Sequence, residues 1–408
     1  MDLYEKYDLT RIINACGKMT HLSGAVVLPD IAAQANAALS GFFDLEELQQ
    51  RAGATIARWS GAEWGCVTAC TAAGISLGIA ACMTGKDAGR IAQLPATQGM
   101  KNQVVLQKGH AVNFGAPVAQ TIRLAGAEIV EIGTINNSES YQLEHAINDQ
   151  TAAVFFVVSH HTVRYGCIPL EEVVAIAHAR GVPVVVDGAA QSFQMSKIID
   201  AGVDLAICSG HKYLSGTTAG IVCGRRDLIE AVVLQNRGIG RPMKVGKEGI
   251  FGAMAALEHR MEMDVSAWQA EQDRKMHTII ERLGGIAGVQ MSVEHDANGN
   301  PFSRARLDVD LQVAGINAKV LSRAVADGTP SIRLRAHHVD EGYVMIDAIE
   351  MNDAEVEVTC QRLEALLNAT DAEKTDLLTR YGGGGETLPA QLTWLRDPKA
   401  NVRHITGV

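Results

Sequence analysis

The chain has 408 residues, of which 47% are hydrophobic and 20% charged, a composition typical of a globular protein long enough for two or three domains. It has 36 Lys and Arg residues against 46 Asp and Glu residues, and the resulting net charge of −10 argues against general binding to nucleic acids or anionic membranes. No apolar run is long enough to span a bilayer and no secretory leader is visible, so we expect a cytoplasmic protein.

The first half of the chain predicts a doubly covered sheet. Residues 28–60 are predicted to be helical, because apolar positions lie three and four residues apart. Between about 62 and 225, apolar runs of strand length alternate with amphipathic helices, as in Ala152–Val158 followed by Leu170–Ala179. This alternation predicts an α/β domain with a mostly parallel central sheet and helices on both faces.

The last third of the chain has a different pattern. Residues 286–350 contain short strand candidates and Asp353–Leu367 is a helix candidate, which together predict a smaller α+β domain. We therefore predict an N-terminal arm (1–25), a large ligand-binding domain (26–250), a small C-terminal domain (251–380), and a glycine linker with a tail (381–408).

An acid and a lysine each follow a buried strand. Asp187 ends one apolar run, and Lys212 follows the next run along the chain, so both should emerge at the same sheet edge. Such a pair suits pyridoxal 5′-phosphate (PLP), because the lysine forms a Schiff base with the cofactor aldehyde and the acid keeps the pyridine nitrogen protonated. Taken alone, Asp187 is also explained as the cap of the next helix, and Lys212 as a solvated lysine in a loop. The segment SGHK, with Ser209 and His211 before the lysine, favours the cofactor site.

A phosphate site is expected at a helix start. The segment WGCVTACTAAG (64–74) precedes a helix predicted from about Ala72 to Met83. Cys70, Thr71 and Ala72 would place backbone N–H groups at the positive end of this helix, which favours a dianionic phosphate. The alternative is ordinary N-capping by Thr71.

Three histidines also follow predicted strands. We expect His110 to stack on the pyridine ring, with Phe114 as the alternative. His160 and His161 are candidates to contact the phenolic oxygen of the cofactor or the substrate. Paired histidines can bind a metal, but no third ligand stands at a suitable spacing and the eight cysteines form no CxxC pair, so we predict no metal site and reduced thiols.

Two basic segments are candidates for substrate binding. Arg241, Lys244 and Lys247 lie among glycines in the segment 238–248, where positive charge suits a phosphorylated or carboxylated substrate. A solvated loop between domains is the alternative. Arg333 is a candidate for a substrate carboxylate, although the alternating segment IRLR also fits a strand with one solvated face.

These motifs resemble those of fold-type I PLP enzymes, which share the aspartate-aminotransferase-like fold. The chain resembles the selenocysteine-synthase-like branch and, within it, is similar to the D-glucosaminate-6-phosphate ammonia-lyases. The resemblance covers most of residues 5–365 and rests on the segments IINACGKMT (12–20), KGHAVNFGAP (108–117), SHH (159–161), VDGAA (186–190), SGHK (209–212) and GIGRPMKVGKE (238–248). It implies that Lys212 binds the cofactor, that Asp187 pairs with the pyridinium, and that the protein forms a homodimer or larger homo-oligomer with sites at subunit interfaces.

We predict a PLP-dependent ammonia-lyase acting on a hydroxylated amino acid or amino sugar acid, such as D-glucosaminate 6-phosphate. Lys212 would remove the α-proton, and the β-hydroxyl would leave as water with a proton from His160, His161 or Lys212. Hydrolysis would then give a 2-keto product and ammonia. A racemase, an aminotransferase or an aldolase acting on an amino acid is the alternative, and a non-catalytic PLP-binding protein is less favoured because Asp187 and Lys212 are both present.

Overall fold

The structure is a computed structural model that describes residues 2–383, so the predicted tail lies outside the described residues from residue 384 onward. Contacts divide the chain into two compact units. The larger comprises Lys18–Val265 with Ala297–Pro301, and the smaller comprises the chain up to Gly17, Ser266–Asp296 and the described chain from Phe302 onward. Units defined by contacts need not be domains that fold independently, so the predicted domain boundaries at residues 25, 250 and 380 stay predictions.

The secondary structure alternates between the two element types through most of the chain. In chain order, the strands are β1 (Ile12–Ala15), β2 (Trp64–Thr68), β3 (Gln103–Gln107), β4 (Glu128–Ile132), β5 (Thr151–Val157), β6 (Val184–Asp187), β7 (Leu205–Ser209), β8 (Gly220–Gly224), β9 (Val289–His295), β10 (Ser303–Val309), β11 (Ser331–Leu334) and β12 (Tyr343–Ile346). The helices are α1 (Leu3–Tyr7), α2 (Pro29–Leu39), α3 (Leu45–Ser60), α4 (Thr71–Thr84), α5 (Ala88–Gln93), α6 (Val118–Arg123), α7 (Ser140–Ala146), α8 (Leu170–Ala179), α9 (Met195–Asp200), α10 (Arg226–Leu234), α11 (Lys247–Glu262), α12 (Val265–Leu283), α13 (Leu311–Ala314), α14 (Ala318–Ala326), α15 (Asp353–Leu367) and α16 (Asp371–Tyr381).

The larger unit is built on a seven-stranded sheet with the order β2-β8-β7-β6-β5-β3-β4. The strands from β7 to β4 pair in parallel, whereas β8 runs antiparallel to both of its neighbours. Alternate residues of β6 face opposite sides. Val184 and Val186 pack in one apolar cluster with residues of α3, α8 and α11, and Val185 packs in another with residues of α4, α6 and α10. Both faces are therefore covered by helices, which explains why this strand is apolar without alternation.

The region predicted to be helical over 28–60 contains two helices. The break lies at residues 40–44, where the Asp44 side chain accepts hydrogen bonds from the backbone N–H groups of Glu46 and Glu47 at 2.8 and 3.1 Å. Asp44 is thus the N-cap of α3, and the new helix start interrupts the apolar spacing.

The smaller unit has its own apolar core. Strands β9, β10 and β12 form an antiparallel sheet, and β1 pairs in parallel with β11. Helix α15 spans the predicted residues Asp353–Leu367, and a capping box between Asn352 and Glu355 fixes where it begins. Across residues 2–383, no helix combines the length and the apolar character needed to cross a membrane.

Candidate active site

One edge of the larger sheet collects most of the residues that the sequence analysis selected. Strands β3, β5, β6 and β7 are parallel neighbours, so the segments that follow them emerge together. Strand β2 is antiparallel to β8, as is β7, and the start of α4 therefore lies at the same edge. The predicted residues brought to this edge are Cys70, Thr71, Ala72, His110, His160, His161, Asp187, Ser209, His211 and Lys212.

Asp187 is the last residue of β6 and is 5% exposed. The backbone N–H of Ala189 donates a hydrogen bond to its Oδ1 at 3.0 Å, which orients the carboxyl group. Burial raises the pKa of Asp187 above its ordinary value, while the Ala189 hydrogen bond and the charge of Lys212 oppose this shift. A carboxyl group in this setting ionises readily only beside a cation, which is the property required of a partner for a protonated pyridine nitrogen.

Lys212 lies in a closed turn between β7 and β8. The backbone N–H of Gly210 donates to the carbonyl of Ala219 at 2.8 Å, and that of Gly216 donates to the carbonyl of Gly210 at 2.9 Å. Within the turn, the N–H of Ser215 donates to the carbonyl of Lys212 at 3.0 Å. These hydrogen bonds fix the backbone that carries the half-buried lysine side chain.

Backbone hydrogen bonds also join the Asp187 and Lys212 segments. The N–H of Gly188 donates to the carbonyl of Ile207 at 2.9 Å, and the N–H of Ser209 donates to the carbonyl of Ala189 at 3.1 Å. The pairing of β6 with β7 thus continues past the end of β6. The acid and the lysine are held in adjacent segments of one rigid edge.

The start of α4 has the features of a phosphate site. Thr71 is 9% exposed, and its buried Oγ1 has no hydrogen-bond partner among the described residues. The first N–H groups of a helix have no acceptor within the helix. At the start of α4 the N–H of Ala73 donates to Sγ of Cys70 at 3.4 Å, so Cys70 rather than Thr71 is the N-cap, and the N–H groups of Thr71 and Ala72 face the position of an anion. Gly220 allows the backbone of β8 to pass close behind this turn, because a Cβ at that position would lie 2.2 Å from the carbonyl oxygen of Cys70. The unpartnered hydroxyl of Thr71, beside the N–H groups of Thr71 and Ala72, fits the phosphate of PLP.

His110 is buried directly after β3. The backbone N–H of Val157 donates to its Nδ1 at 3.3 Å, and its ring makes an edge contact with Phe156, with ring centroids 4.4 Å apart. Burial lowers the pKa of His110 from 6.5 to about 4. The imidazole is therefore neutral near pH 7, which suits a ring that contacts a cofactor better than a group that transfers protons.

His211 contacts Ser209 on its own turn and lies against Gly24. Its Nδ1 lies 2.9 Å from Oγ of Ser209, and burial followed by the charge of Lys212 lowers its pKa. A Cβ on Gly24 would lie 2.5 Å from both Cδ2 and the carbonyl oxygen of His211. Gly24 also has a φ of +82°, so this close approach requires glycine for two independent reasons.

The paired histidines lie on the segment after β5. His160 and His161 are exposed, and their ring centroids are 3.9 Å apart. The N–H of Val163 donates to the carbonyl of Gly109 at 3.2 Å, which joins this segment to the one that carries His110. The two histidines are thereby placed at the rim of the candidate site.

The predicted substrate-binding cations differ in their surroundings. Arg241 and Lys244 are exposed, whereas the Lys247 ammonium donates to the carbonyl oxygen of Leu39 at 3.2 Å and to that of Gly41. Lys247 therefore already has backbone partners. Arg333 is exposed on β11 of the smaller unit, and its neighbour in the motif, Arg335, is 7% exposed.

Gly24 and Arg260 are not selected by the sequence analysis, although both lie against the Lys212 loop. Arg260 is in the last turn of α11 and donates a hydrogen bond to the carbonyl of Tyr213. Neither residue belongs to a motif, and both are distant in sequence from the residues that they contact. Gly24 gives a local signal, since glycine is favoured in turns, but glycines are too common in this chain for that signal to select one position.

Comparison with known proteins identifies the family. The sequence profile of the L-seryl-tRNA selenium transferase family matches residues 55–282. The chain is also 35% identical over 367 residues to a D-glucosaminate-6-phosphate ammonia lyase from Salmonella typhimurium, covering 90% of this chain and 98% of the relative. The chain belongs to the selenium transferase family.

One further relative and two solved structures extend the comparison. A 5′-C-glycyluridine monooxygenase-decarboxylase from Streptomyces is 35% identical, covering 89% of this chain and 92% of the relative. A solved D-glucosaminate-6-phosphate ammonia-lyase structure is 34% identical, with a TM-score of 0.82, and covers 90% of this chain and 98% of its own. A serine palmitoyltransferase from S. paucimobilis with bound PLP, at 15% identity and a TM-score of 0.53 over 88% of this chain and 87% of its own, shares the fold alone. The predicted family, fold class and PLP cofactor are confirmed.

Proposed function

We propose that this protein is a PLP-dependent ammonia-lyase. It removes the α-proton of a hydroxylated amino acid or amino sugar acid such as D-glucosaminate 6-phosphate, eliminates water, and yields a 2-keto product and ammonia. The observation that carries the proposal is the buried carboxyl of Asp187 held in a segment adjacent to the Lys212 loop, at the edge where α4 begins. The 35% identity to an ammonia lyase over nearly all of that relative supports the reaction class.

The cofactor is held by residues around the strand ends. Lys212 would bind its aldehyde carbon, and Asp187 would keep the ring nitrogen protonated. The buried hydroxyl of Thr71, the amides that follow Cys70 and include that of Ala72, and the side chains of Ser209 and His211 hold the phosphate. The neutral ring of His110 would lie against the pyridine ring. When bound, PLP supplies an electron-withdrawing ring that stabilises negative charge at the substrate α-carbon.

The chain itself handles the protons and the substrate charges. As a neutral amine, Lys212 would take the α-proton, and His160, His161 or Lys212 would donate a proton to the departing hydroxyl. Arg241, Lys244 and Lys247 bind the distal phosphate, and Arg333 binds the substrate carboxylate. The exposure of Arg241 and Lys244 supports a role in binding an anion from solvent.

The assembly and location complete the proposal. The protein is a cytoplasmic homodimer or larger homo-oligomer, and sites lie at subunit interfaces. Support comes from large apolar side chains at the surface of the larger unit, since Leu39, Phe42 and Leu45 are all at least half exposed.

A second candidate function has comparable sequence support. The Streptomyces relative, named a monooxygenase-decarboxylase, has the same 35% identity and a similar coverage. The two reactions differ in their need for oxygen and in their products, since a lyase releases ammonia without O₂ and a monooxygenase-decarboxylase consumes O₂ and releases CO₂.

The test uses the purified full chain loaded with PLP. D-glucosaminate 6-phosphate is supplied with and without O₂, and ammonia, 2-keto product, CO₂ and O₂ uptake are measured. We expect equal ammonia and 2-keto product in both conditions, and a loss of at least about 1,000-fold in Lys212→Ala. Lys197→Ala, which changes an exposed lysine of α9, is the matched control and should retain activity.

Three results would contradict the lyase proposal. Product formation that requires O₂ and releases CO₂ would favour the second candidate. Epimerised substrate or transferred amino groups without ammonia would favour a racemase or an aminotransferase. Full turnover by Lys212→Ala would remove the proposed cofactor site altogether.

A further inference from the structure

Arg260 forms hydrogen bonds with both segments that follow Asp187 and Lys212. Its Nη1 donates to Oγ of Ser192 at 3.3 Å, and its Nη2 donates to the backbone carbonyl of Tyr213. Its guanidinium carbon lies 3.8 Å from the centroid of the Phe193 ring. Ser192 and Phe193 follow the strand that ends in Asp187, and Tyr213 is the residue after the lysine. One side chain thus spans both segments.

The electrostatic setting of Arg260 is unusual for a structural arginine. Its Nε is buried and has no hydrogen-bond partner among the described residues, and no carboxylate of residues 2–383 forms an ion pair with it. Burial lowers the pKa of Arg260 to about 10. Breaking or omitting the partner of a buried charge is costly, and an apolar residue of similar size serves packing alone better. An apolar residue would fill the same space but would lose the hydrogen bonds to Ser192 and Tyr213 and the contact of the cation with the Phe193 ring.

The positive charge lies behind the lysine loop. Through its hydrogen bond to the carbonyl of Tyr213, the Arg260 guanidinium lies beside the backbone of the residue that follows Lys212. Two like charges disfavour each other's charged form. We therefore expect a cation at this place to favour the neutral form of the lysine amine, which is the form that binds the cofactor aldehyde and takes a proton.

We propose that Arg260 is a positioning residue that fixes the Lys212 loop against the segment after Asp187 and places a positive charge behind the lysine. This inference rests on the proposed function, because the role of Arg260 depends on Lys212 being the residue that binds the cofactor. It adds a residue from α11 to a site otherwise built from strand ends. It also predicts that the effect of Arg260 has two separable parts, one of geometry and one of charge.

The test compares Arg260→Met, Arg260→Lys and the control Arg225→Met in the PLP-loaded full chain. Arg225 also joins a helix start to a strand of the larger sheet, through a 2.9 Å bond to buried Asp204, but it takes no part in the proposed site. The readouts are the pH midpoint of the absorbance change of the bound cofactor, kcat, KM and the thermal midpoint.

We expect Arg260→Met to move the pH midpoint upward and to lower kcat by about 10- to 100-fold, with KM changed less than about threefold. Arg260→Lys keeps the charge, so its pH midpoint should stay near that of the wild type. Its kcat should recover only in part, because an ammonium cannot bind Ser192 and Tyr213 and also lie flat on Phe193. Arg225→Met should lower the thermal midpoint without moving the pH midpoint.

Two outcomes overturn the inference. The first is an Arg260→Met protein with the pH midpoint and kcat of the wild type. The second is a protein that loses thermal stability as Arg225→Met does, with its pH midpoint unmoved, since that result describes a structural role only. If the wild-type chain showed no cofactor absorbance that depends on Lys212, the proposed function itself would be overturned. Failure of the proposed function is thus distinguishable from failure of the inference about Arg260.

Discussion

The backbone N–H of Val157 donates a hydrogen bond to Nδ1 of His110, at 3.3 Å. Because the backbone group is necessarily the donor, Nδ1 carries no proton, and the neutral imidazole carries its proton on Nε2. A strand residue of β5 thus sets the tautomer of a histidine that follows β3. The hydrogen bond would be lost if the ring became protonated on Nδ1.

The stability of the cofactor-free protein should depend on pH through His110. Its pKa in the folded chain is about 4 against an ordinary value of 6.5, so its contribution is present above pH 6.5 and is lost as the pH falls through 4. Between pH 7 and 4, the wild type should lose about 3 kcal/mol more unfolding free energy than His110→Gln. Urea unfolding at a series of pH values measures this, with the exposed His145→Gln as control. Parallel curves for wild type and His110→Gln would refute it.

Asp187→Asn should stabilise the cofactor-free protein. The raised pKa of Asp187 means that ionising the carboxyl costs stability as the pH rises through that pKa, and the neutral amide avoids this cost while still accepting the Ala189 hydrogen bond. We expect a gain on the order of 1 kcal/mol at pH 7, together with PLP binding weakened by at least about tenfold. Urea unfolding and cofactor titration measure the two effects.

Asp204 provides the matched control for this substitution. It is also buried, but Arg225 and His178 bind its carboxylate at 2.9 and 2.8 Å. Asp204→Asn should therefore lose about 3 kcal/mol or more, the opposite sign, with PLP affinity unchanged. Equal losses in the two variants would mean that Asp187 is an ordinary structural carboxylate.

Thr71→Val should weaken PLP binding without destabilising the cofactor-free chain. The hydroxyl of Thr71 has no protein partner in the described residues, so removing it costs no intramolecular hydrogen bond. We expect PLP affinity to fall about five- to tenfold. At the other end of the same helix, buried Thr84 donates to the carbonyl of Ala80 at 3.0 Å, and Thr84→Val should lower stability and leave PLP affinity unchanged. The reverse pattern would place the phosphate elsewhere.

Gly24→Ala should disrupt the Lys212 loop more than its backbone angle alone predicts. Gly61, at the end of α3, has a φ of +78° and no atom within 4 Å of the position that a Cβ would take, whereas a Cβ at position 24 would overlap His211. Gly61→Ala should cost about 1 kcal/mol, and Gly24→Ala should cost more and weaken PLP binding by at least about tenfold. Thermal unfolding and cofactor titration compare the variants. Equal effects of the two substitutions would show that the contact between position 24 and His211 does not contribute.

Much of the larger unit could be predicted from local patterns. The apolar runs of β5 and β6 predict buried strands, and the rule that parallel strands end at one edge places Asp187 beside the Lys212 loop. The predicted bounds of helix α8 are the observed ones, because its apolar spacing ends at Ala179 before a glycine. These features depend on neighbours within one or two elements of the chain.

Features that depend on distant contacts could not be predicted in this way. Nothing local marks β8 as antiparallel. The break at 40–44 is a different case, because Asp44 is a local N-cap signal that a prediction from apolar spacing alone does not use. Arg260 shares no motif with the residues that it joins. Arg333 and Arg335 have equivalent positions in the sequence pattern, and only packing makes one exposed and the other buried.

The closed turn between β7 and β8 limits how this protein can be redesigned. Since backbone bonds from Gly210 to Ala219 and from Gly216 to Gly210 tie the turn at both ends, one inserted residue would displace the lysine from the acid beside it. The longer connection from 158 to 169 is held by hydrogen bonds at Val163, Gly166 and Ile168, so changes of length there should keep 163–168 and fall in the stretch 159–162 that carries the histidines. Loop grafting aimed at new substrates should therefore vary the length of the histidine segment and keep that of the lysine turn.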